Sequence, residues 1–574
     1  MTPLPSSSIL GAHPAVGGAV GGAVGGAVGR AVGRALTLAG HLGTPARVLG
    51  ASGVVRPLPP TALAGIARAL KAWGTGPAGG FTAMALRAPD RVGLIDELGS
   101  LTFGEMHARS NALARALQER GVAEGDSVAV MCRNHRGFVD AVVATAKCGA
   151  DVLLLNTAFA GPQLVGVLER ERPQAVIHDE EFTRLLDKAD APTRLLGWVD
   201  GDQEEDDDRD TVESAIAAYD GGDLPAPQRH ARIVILTSGT TGAPKGAPRS
   251  EAGIGAAISL LSRMPLRYGW RTHIAAPLFH TWGFAHLALS MLLGSTVVLR
   301  RRFEPEGCLD AVADERCDSL VVIPVMLQRI LALPQASLER RSLPTLKVTA
   351  ASGSALPGDL AVEWMDTFGD NLYNIYGSTE VAYASIATPR DLREAPTSAG
   401  RPPWATVVKI LDHDGHEVPQ GDSGRIFVGN GMLFEGYSSG TESLSMSKEV
   451  VDGLMSSGDV GRIGDDGRLY VEGRDDDMIV SGGENVFPQE VEDCLSRHAG
   501  VVEVAALGVD DAQFGKRLKA FVVAGPSAPS EDELKDWVKE HLARYKVPRE
   551  IVFLDELPRN ATGKIVKREL AELD

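Results

Sequence analysis

The chain has 574 residues, more than one hydrophobic core can organise, and its 44% hydrophobic and 23% charged residues are typical of a large soluble enzyme with two or more domains. A net charge of -18 argues against nucleic acid as a partner, because a nucleic-acid-binding surface needs an excess of cations. Five scattered cysteines without a Cys-x-x-Cys pair argue against a disulfide framework or a structural zinc site, and favour a cytoplasmic protein.

Residues 1–80 form a low-complexity, basic leader rich in Ala, Val and Gly. Between Ala15 and Gly33 a glycine recurs every four residues. Each interior glycine costs a helix about 1 kcal/mol relative to alanine, so we predict a flexible tail over residues 1–35. The first acidic residue is Asp90, which leaves peripheral contact with an anionic membrane surface as an alternative. The basic residues before it are Arg30, Arg34, Arg47, Arg56, Arg68, Lys71 and Arg87.

From about residue 80 onward, short β-branched runs alternate with helix-length segments. The runs 127–131, 151–155 and 319–323 are examples of the first kind, and 138–148 is an example of the second. This alternation predicts an α/β architecture with largely buried strands. Another alternating region, residues 474–574, is small enough to form a separate α+β lid. We therefore predict domains over residues 81–473 and 474–574.

The decapeptide 237–246, Thr-Ser-Gly-Thr-Thr-Gly-Ala-Pro-Lys-Gly, follows a predicted strand and has the composition of a phosphate cradle. Its glycines let backbone N–H groups approach anionic oxygens, its hydroxyls add donors and its lysine adds a cation. The spacing is not that of a P-loop, because Gly246 follows Lys245 where Ser or Thr is needed. The predicted ATP-binding residues here are Thr237, Ser238, Gly239, Thr240, Thr241, Gly242 and Lys245.

This decapeptide resembles the signature loop of the adenylate-forming superfamily, which includes acyl-CoA synthetases such as actinobacterial long-chain fatty-acid–CoA ligases. Segments 373–380, 457–469, 473–488 and 558–564 resemble four further motifs of that superfamily, in its order. The resemblance covers roughly residues 80–574. It implies a large N-terminal adenylate-forming domain of several sheets and helices, and a small mobile α+β C-terminal domain that meets it over the active site.

The resemblance also implies the chemistry and the residues that perform it. A carboxylate is a poor electrophile, so it is first adenylated by ATP, and the acyl-adenylate is then attacked by a thiol. Lys564 would pair with the oxygens that gain charge during adenylation. Glu380 would hold Mg²⁺ and Thr379 would contact the α-phosphate, since this hard cation takes oxygen ligands.

The same resemblance assigns the nucleotide subsites. Tyr376 would offer a flat face to adenine, with Asn374 and Ser354 at the polar edge of the base. Asp459 would bind the ribose hydroxyls, supported by Arg474 from the domain boundary. Gly377, within the motif of Tyr376, completes the predicted ATP and AMP site.

The resemblance implies that the C-terminal domain swings between the two reactions, because the lysine loop needed for the first occupies space that the thiol needs for the second. Asp476 matches the hinge position of the superfamily. Ser481, Gly482 and Gly483 would line the route of the CoA pantetheine arm, where glycine leaves room that a Cβ atom would fill.

Two segments, 277–284 and 351–356, resemble those that border the acyl pocket in the superfamily. His280 would lie at its mouth, with Phe284 beside it, and Ala350 and Gly353 would keep its wall thin. Neither segment carries an Asp or Lys for an ammonium group or a second carboxylate. We therefore predict a medium- to long-chain fatty acid as the substrate, with an aryl acid as the alternative.

Other activities were weighed against a fatty acid–CoA ligase. A fatty acyl-AMP ligase would pass the acyl group to a carrier protein instead of CoA. A non-enzymatic nucleotide-binding regulator is disfavoured, because both Lys564 and Glu380 are present. The expected partners are thus a fatty acid, ATP and CoA, and a homodimer stays open.

Overall fold

The computed structural model describes most of the chain beyond the predicted flexible tail. The described residues are 43–159, 161–187, 193–201, 209–237, 245–249, 254–378, 381–432, 449–475, 479–481, 484–511, 515–560 and 564–573. Within them lie four β-sheets and the helices packed on those sheets.

The helices and strands alternate along the chain as the sequence predicts. The helices are α1 (residues 43–52), α2 (Pro60–Trp73), α3 (Pro77–Arg87), α4 (Phe103–Glu119), α5 (Arg136–Lys147), α6 (Gly161–Glu171), α7 (Thr183–Leu186), α8 (Val212–Ala218), α9 (Ile254–Leu261), α10 (Thr281–Leu292), α11 (Pro305–Asp314), α12 (Pro324–Leu331), α13 (Gln335–Glu339), α14 (Gly358–Phe368), α15 (Pro389–Glu394), α16 (Pro488–Leu495), α17 (Glu531–His541) and α18 (Lys567–Ala571). The strands are β1 (Val92–Asp96), β2 (Gly99–Thr102), β3 (Ser127–Met131), β4 (Asp151–Leu154), β5 (Ala175–Asp179), β6 (Thr193–Trp198), β7 (Ile233–Thr237), β8 (Lys245–Arg249), β9 (Arg271–Ile274), β10 (Thr296–Val298), β11 (Ser319–Val322), β12 (Val348–Ala351), β13 (Leu372–Tyr376), β14 (Ser385–Ala387), β15 (Val407–Leu411), β16 (Gly424–Gly429), β17 (Val450–Val451), β18 (Leu454–Ile463), β19 (Leu469–Arg474), β20 (Ile479–Ser481), β21 (Glu484–Val486), β22 (Val501–Asp511), β23 (Gly515–Ala524) and β24 (Glu550–Phe553).

The predicted leader ends in folded structure. Each of α2 and α3 begins with proline, which suits the first helical turn because its missing N–H needs no partner there. The two helices pack against each other, and α3 buries Phe81 and Met84 in the main core. Every helix within the described residues is too short or too polar to cross a lipid bilayer.

Two largely parallel sheets make up most of the N-terminal part. One has eight strands in the order β14-β13-β12-β11-β9-β10-β1-β2, with antiparallel strands only at its edges. The other has six strands in the order β6-β5-β3-β4-β7-β8, with β8 antiparallel to β7. Every residue of α5 is buried, and Arg136 on this helix pairs with Asp96 of β1. The ion pair thus connects a helix of the six-stranded layer to the eight-stranded sheet.

The remaining two sheets are smaller. β15, β16, β17, β18 and β19 form an antiparallel sheet with its own apolar cluster around Ile426 and Val428. β20 to β24 form the C-terminal sheet, on which α16 and α17 bury Val491, Leu495 and Val538. The predicted α/β class, with a large N-terminal domain and a small α+β C-terminal domain, is confirmed.

Candidate active site

Four loops leave the eight-stranded sheet at the carboxyl ends of its parallel strands. β9, β11, β12 and β13 are parallel neighbours, with Ala351 opposite both Val322 and Asn374. Ligands of open α/β sheets bind where the carboxyl ends of such strands meet. The loops after these strands carry four predicted site residues, which are His280, Gly353, Ser354 and Gly377.

Two of the glycines are required by the backbone itself. A Cβ atom on Gly377 would lie 2.2 Å from the carbonyl oxygen of Ala382 and 2.7 Å from the Cα of Tyr383. Gly353 has a φ of +103°, a conformation that residues with a Cβ rarely adopt. Any larger residue would therefore displace the two loops on which the predicted nucleotide residues lie.

The structure brings together predicted nucleotide-binding residues from motifs about eighty positions apart. Tyr376, at the end of β13, donates its phenolic hydrogen to the carboxylate of Asp459 on β18, and its oxygen lies 3.2 Å from the hydroxyl of Ser457. Arg474 lies opposite Asp459 in the β18–β19 pairing, with its Nε 3.7 Å from the Asp459 carboxylate. Burial, and then the negative charge of Asp459, raise the pKa of Tyr376 well above its usual value. Tyr376 therefore remains a neutral donor at physiological pH.

Ser457 is a structural member of this cluster that sequence reasoning did not select. Its hydroxyl donates to the carbonyl oxygen of Ile426 at 3.1 Å and accepts from the backbone N–H of Asp459 at 3.1 Å. The signal was available in the sequence, because residues two apart on a strand lie on the same face. Ser457 thus fixes the backbone from which Asp459 projects.

The segment just before the predicted hinge is held firmly. Asp475 donates its backbone N–H to the carbonyl oxygen of Gly458 at 3.0 Å. Its carboxylate accepts from Arg425 Nε at 3.2 Å, and the same arginine pairs with Glu449 at 2.5 Å. The chain is therefore anchored to β18 and β16 up to the residue before Asp476.

The predicted acyl residues lie around the start of α10. His280 is the N-cap of this helix, and its Nδ1 accepts from the backbone N–H of Trp282 at 3.4 Å. Phe284 is half-buried, and Ala350 is only 1% exposed in the middle of β12. Trp282, which sequence reasoning did not select, donates its indole N–H to the carbonyl oxygen of Val322 at 2.9 Å. This bond fixes α10 to the end of β11.

Lys564 is an exposed residue on a loop of the C-terminal domain, between β24 and α18. Its backbone N–H donates to the side-chain oxygen of Asn560 at 3.0 Å, and the Asn560 N–H donates to the Lys564 carbonyl oxygen at 2.9 Å. Arg559 and Ile565 form a β-bridge outside this pair. The two ends of the lysine loop are thus held together.

Several predicted site residues lie outside the part of the chain that the structure describes. These residues are Ser238, Gly239, Thr240, Thr241, Gly242, Thr379, Glu380, Asp476, Gly482 and Gly483. For three more the backbone is described but not the side chain. Thr237 ends β7 directly opposite Lys245 at the start of β8, so the phosphate loop joins two paired strands. Ser481 ends β20 and pairs with Gly515. Their predicted roles stay predictions.

The arrangement matches a known family of enzymes. A family model described as AMP-binding enzyme matches residues 81–438, and a model described as AMP-binding enzyme C-terminal domain matches residues 490–564. The chain belongs to the AMP-binding enzyme family. The predicted resemblance to the adenylate-forming superfamily is confirmed.

Curated relatives of this AMP-binding enzyme extend over most of its length. Feruloyl-CoA synthase from Amycolatopsis sp. is 34% identical over 476 residues, which cover 82% of this chain and 93% of that protein. Long-chain-fatty-acid–CoA ligase FadD13 from Mycobacterium tuberculosis is 29% identical over 479 residues, with the same coverages. The two relatives act on acids of different shape.

Solved structures give the same result. The o-succinylbenzoate CoA synthetase from Bacillus subtilis, in complex with its acyl-adenylate intermediate, has a TM-score of 0.75 and 28% identity, covering 86% of this chain and 98% of that one. The anthranilate CoA ligase AuaEII in complex with anthranoyl-AMP also has a TM-score of 0.75, with 25% identity over 86% and 96% of the two chains. The prediction of an AMP-forming acid–thiol ligase that uses ATP, Mg²⁺ and CoA is confirmed.

Proposed function

We propose that this AMP-binding enzyme joins a medium- to long-chain fatty acid to CoA. The observation that supports this substrate is the chemistry of three segments at the carboxyl edge of the sheet, 275–284, 319–326 and 348–356. They contain no Asp, Glu, Lys or Arg, and their one titratable side chain is His280. An ammonium group or second carboxylate on the acid would be desolvated there without a partner, which costs several kcal/mol. An apolar acyl chain avoids that cost.

The proposed reaction has two steps. A carboxylate oxygen of the fatty acid attacks the α-phosphorus of ATP, the bond to the bridging oxygen breaks, and pyrophosphate leaves. The CoA thiolate then attacks the acyl carbon, the thioester forms, and AMP leaves with the electron pair of the broken acyl–oxygen bond. The thiol proton passes to solvent or to a basic group at the site.

Each step needs cations and hydrogen-bond donors more than acids and bases. In our proposal Lys564 places its ammonium group against the oxygens that gain charge in adenylation, and Thr379 donates to the α-phosphate. Glu380 would hold Mg²⁺, which spreads the phosphate charge when bound. The phosphate loop 237–246 would cradle the phosphates that leave.

The nucleotide is proposed to lie against Tyr376, with its ribose hydroxyls on Asp459. The hydrogen bond from Tyr376 supports this role, because it orients the Asp459 carboxylate before ATP arrives. Arg474, 3.7 Å from the same carboxylate, would help to hold it in place by charge attraction. Asn374 and Ser354 would meet the polar edge of adenine.

The rotation of the C-terminal domain between the two half-reactions is proposed to occur at Asp476, directly after the anchored Asp475. Ser481, Gly482 and Gly483 would then line the pantetheine route. Because the chain before the hinge is anchored by Arg425 and Gly458, rotation would begin within a short segment.

A second candidate substrate is an arylpropenoic acid such as ferulic acid. The 34% identity to feruloyl-CoA synthase favours it, as does the placement of Trp282 and Phe284 near His280. Such an acid also lacks a second charged group. It differs from a fatty acid in being planar and short.

The decisive experiment is a panel of acids assayed for pyrophosphate release and, by mass spectrometry, for AMP and thioester. The panel runs from hexanoate to palmitate and includes ferulate, benzoate and an amino acid. We expect kcat/KM to rise with chain length and to exceed that for ferulate by at least about tenfold, since each buried CH₂ contributes about 0.8 kcal/mol. A higher kcat/KM for ferulate would favour the second candidate. Pyrophosphate release without any thioester would instead support an acyl-AMP ligase with a carrier protein.

A further inference from the structure

Three arginine side chains from positions 56, 87 and 91 surround the ring of one tyrosine, Tyr268. The Cζ atoms of Arg56, Arg87 and Arg91 lie 4.7, 4.3 and 5.3 Å from the ring centroid of Tyr268. A cation over an aromatic face gains up to about 2 kcal/mol, but three guanidinium groups around one ring also repel one another. The cluster therefore concentrates positive charge at one place on the surface.

This charge is not neutralised by the protein in the part of the chain that the structure describes. There, Arg56, Arg87 and Arg91 form no ion pair, although acidic residues outnumber basic ones by 75 to 57 in the whole chain. Arg87 and Arg91 donate instead to backbone carbonyl oxygens, at 3.0 and 2.5 Å. Burial lowers the pKa of Arg87, and the charges of Arg56 and Arg91 act in the same direction. An external anion would relieve this repulsion.

Apolar side chains project beside the arginines. Val55, Leu63 and Leu86 are 67%, 51% and 49% exposed. Val55 and Leu86 directly precede two of the arginines, and Leu86 lies beside α2, with its Cδ1 3.9 Å from the position of a Cβ on Gly65. Val55 and Leu86 are thus chain neighbours of Arg56 and Arg87, and Leu63 lies on the adjacent α2. We call Arg56, Arg87, Arg91 and these apolar residues the basic face.

The segment 43–89, which supplies every member of this face except Arg91, contains no acidic residue, and the exposed Asp90 follows it. Arg47, Arg68 and Lys71 are the other charged residues between positions 43 and 89. A surface that combines unneutralised cations with projecting Leu and Val is typical of proteins that bind anionic membranes at the interface. Residues 1–42 are an unsuitable occupant, because their charged residues, Arg30 and Arg34, have the same sign as the face.

We propose that the basic face, formed by Arg56, Arg87, Arg91, Leu63 and Leu86, docks the enzyme on the surface of an anionic phospholipid bilayer. The lipid phosphate groups lie among the guanidinium groups, and the leucines enter the boundary between headgroups and acyl chains. Since α3 packs on the core and α2 packs on α3, the determinant is this structured face and not the leader alone.

The test is co-sedimentation of the full-length protein with vesicles at low ionic strength. One set contains only phosphatidylcholine, and the other also contains phosphatidylglycerol. We expect binding to the second set, weakened by salt because salt screens the attraction between the arginines and the lipid phosphates. Arg56→Gln should lower the partition coefficient about fivefold, and Leu63→Ser should lower it as well. Arg340→Gln and Val407→Ser remove an exposed cation and an exposed apolar side chain elsewhere, and should not change binding.

Four results would overturn the proposal. The first is no binding to phosphatidylglycerol vesicles, and the second is equal binding to both sets. The third is that the control variants lower binding as much as Arg56→Gln and Leu63→Ser do. The fourth is saturable binding of inorganic phosphate that Arg56→Gln removes while vesicles do not bind, which would assign the cluster to a free anion. Thioester formation from a water-soluble acid by all four variants shows that each is folded.

Discussion

Replacing Tyr376 by Phe removes one oxygen atom from the cluster of Tyr376, Ser457, Asp459 and Arg474. The ring, and with it any stacking on adenine, is kept. What is lost is a buried hydrogen bond to the Asp459 carboxylate, and hydrogen bonds to charged groups contribute about 1.5–3 kcal/mol. Arg474 at 3.7 Å and the backbone bond to Ser457 still hold part of the orientation of Asp459, so we take the lower end of the range. This predicts a KM for ATP about tenfold higher.

The assay separates the ribose from the rest of the nucleotide. KM is measured by pyrophosphate release with ATP and with 2′,3′-dideoxy-ATP, for the wild type and the variant. If Tyr376 acts by orienting Asp459 toward the ribose hydroxyls, the KM of the variant should rise about tenfold with ATP and less than about twofold with the dideoxy nucleotide. The dideoxy nucleotide has no ribose hydroxyl for Asp459 to bind. The value of kcat should change little for either.

An equal increase in KM with the two nucleotides would refute this reasoning, because the Tyr376 hydroxyl would then act on adenine or on the fold as a whole. Tyr373→Phe is the matched control. This residue lies on the same strand as Tyr376 but three positions away, so that the two side chains lie on opposite faces. Its KM values should equal those of the wild type.

Three further predictions concern the site and its support. Gly377→Ala should abolish measurable ATP binding in calorimetry while the far-UV spectrum is kept, because its Cβ would lie 2.2 Å from a backbone oxygen. Burial lowers the pKa of Lys147 from 10.5 to about 7, so between pH 7 and pH 10.5 the unfolded state binds more protons than the folded state. The free energy of unfolding should therefore rise with pH in this range, by up to about 1.4 kcal/mol per pH unit. Lys147→Met should remove this slope, as measured by urea unfolding. Lys564→Ala should suppress acyl-adenylate formation but spare thioester formation from presynthesised acyl-adenylate, and Asp476→Pro should do the reverse, both measured by mass spectrometry.

The sequence predicted those parts of the site that depend on short segments. Strand runs are local patterns, so β3, β4, β11 and the class of the fold could be predicted. Tyr376 was selected because its segment resembles a superfamily motif. Contacts between distant segments could not. Asp391 accepts from Arg263, Arg401 and Arg468, which lie up to 128 positions away, and no local pattern marks it as their common partner.

The N-terminal region shows the same limit. The acid-free composition of the leader was visible in the sequence and suggested a membrane contact. The position of Tyr268 between Arg56, Arg87 and Arg91 depends on how α3 packs on the core, which composition does not specify. Composition therefore indicated the sign of the charge, and the fold determined where that charge is concentrated.

The anchoring of Asp475 also has a use in protein engineering. Because this residue is bonded to Gly458 and Arg425, the polypeptide up to position 475 keeps its path whatever follows it. Chimeras that exchange the last hundred residues between homologues should therefore be joined immediately after Asp475. A junction placed before it would separate Asp475 from Arg425 and leave that guanidinium group to pair with Glu449 alone.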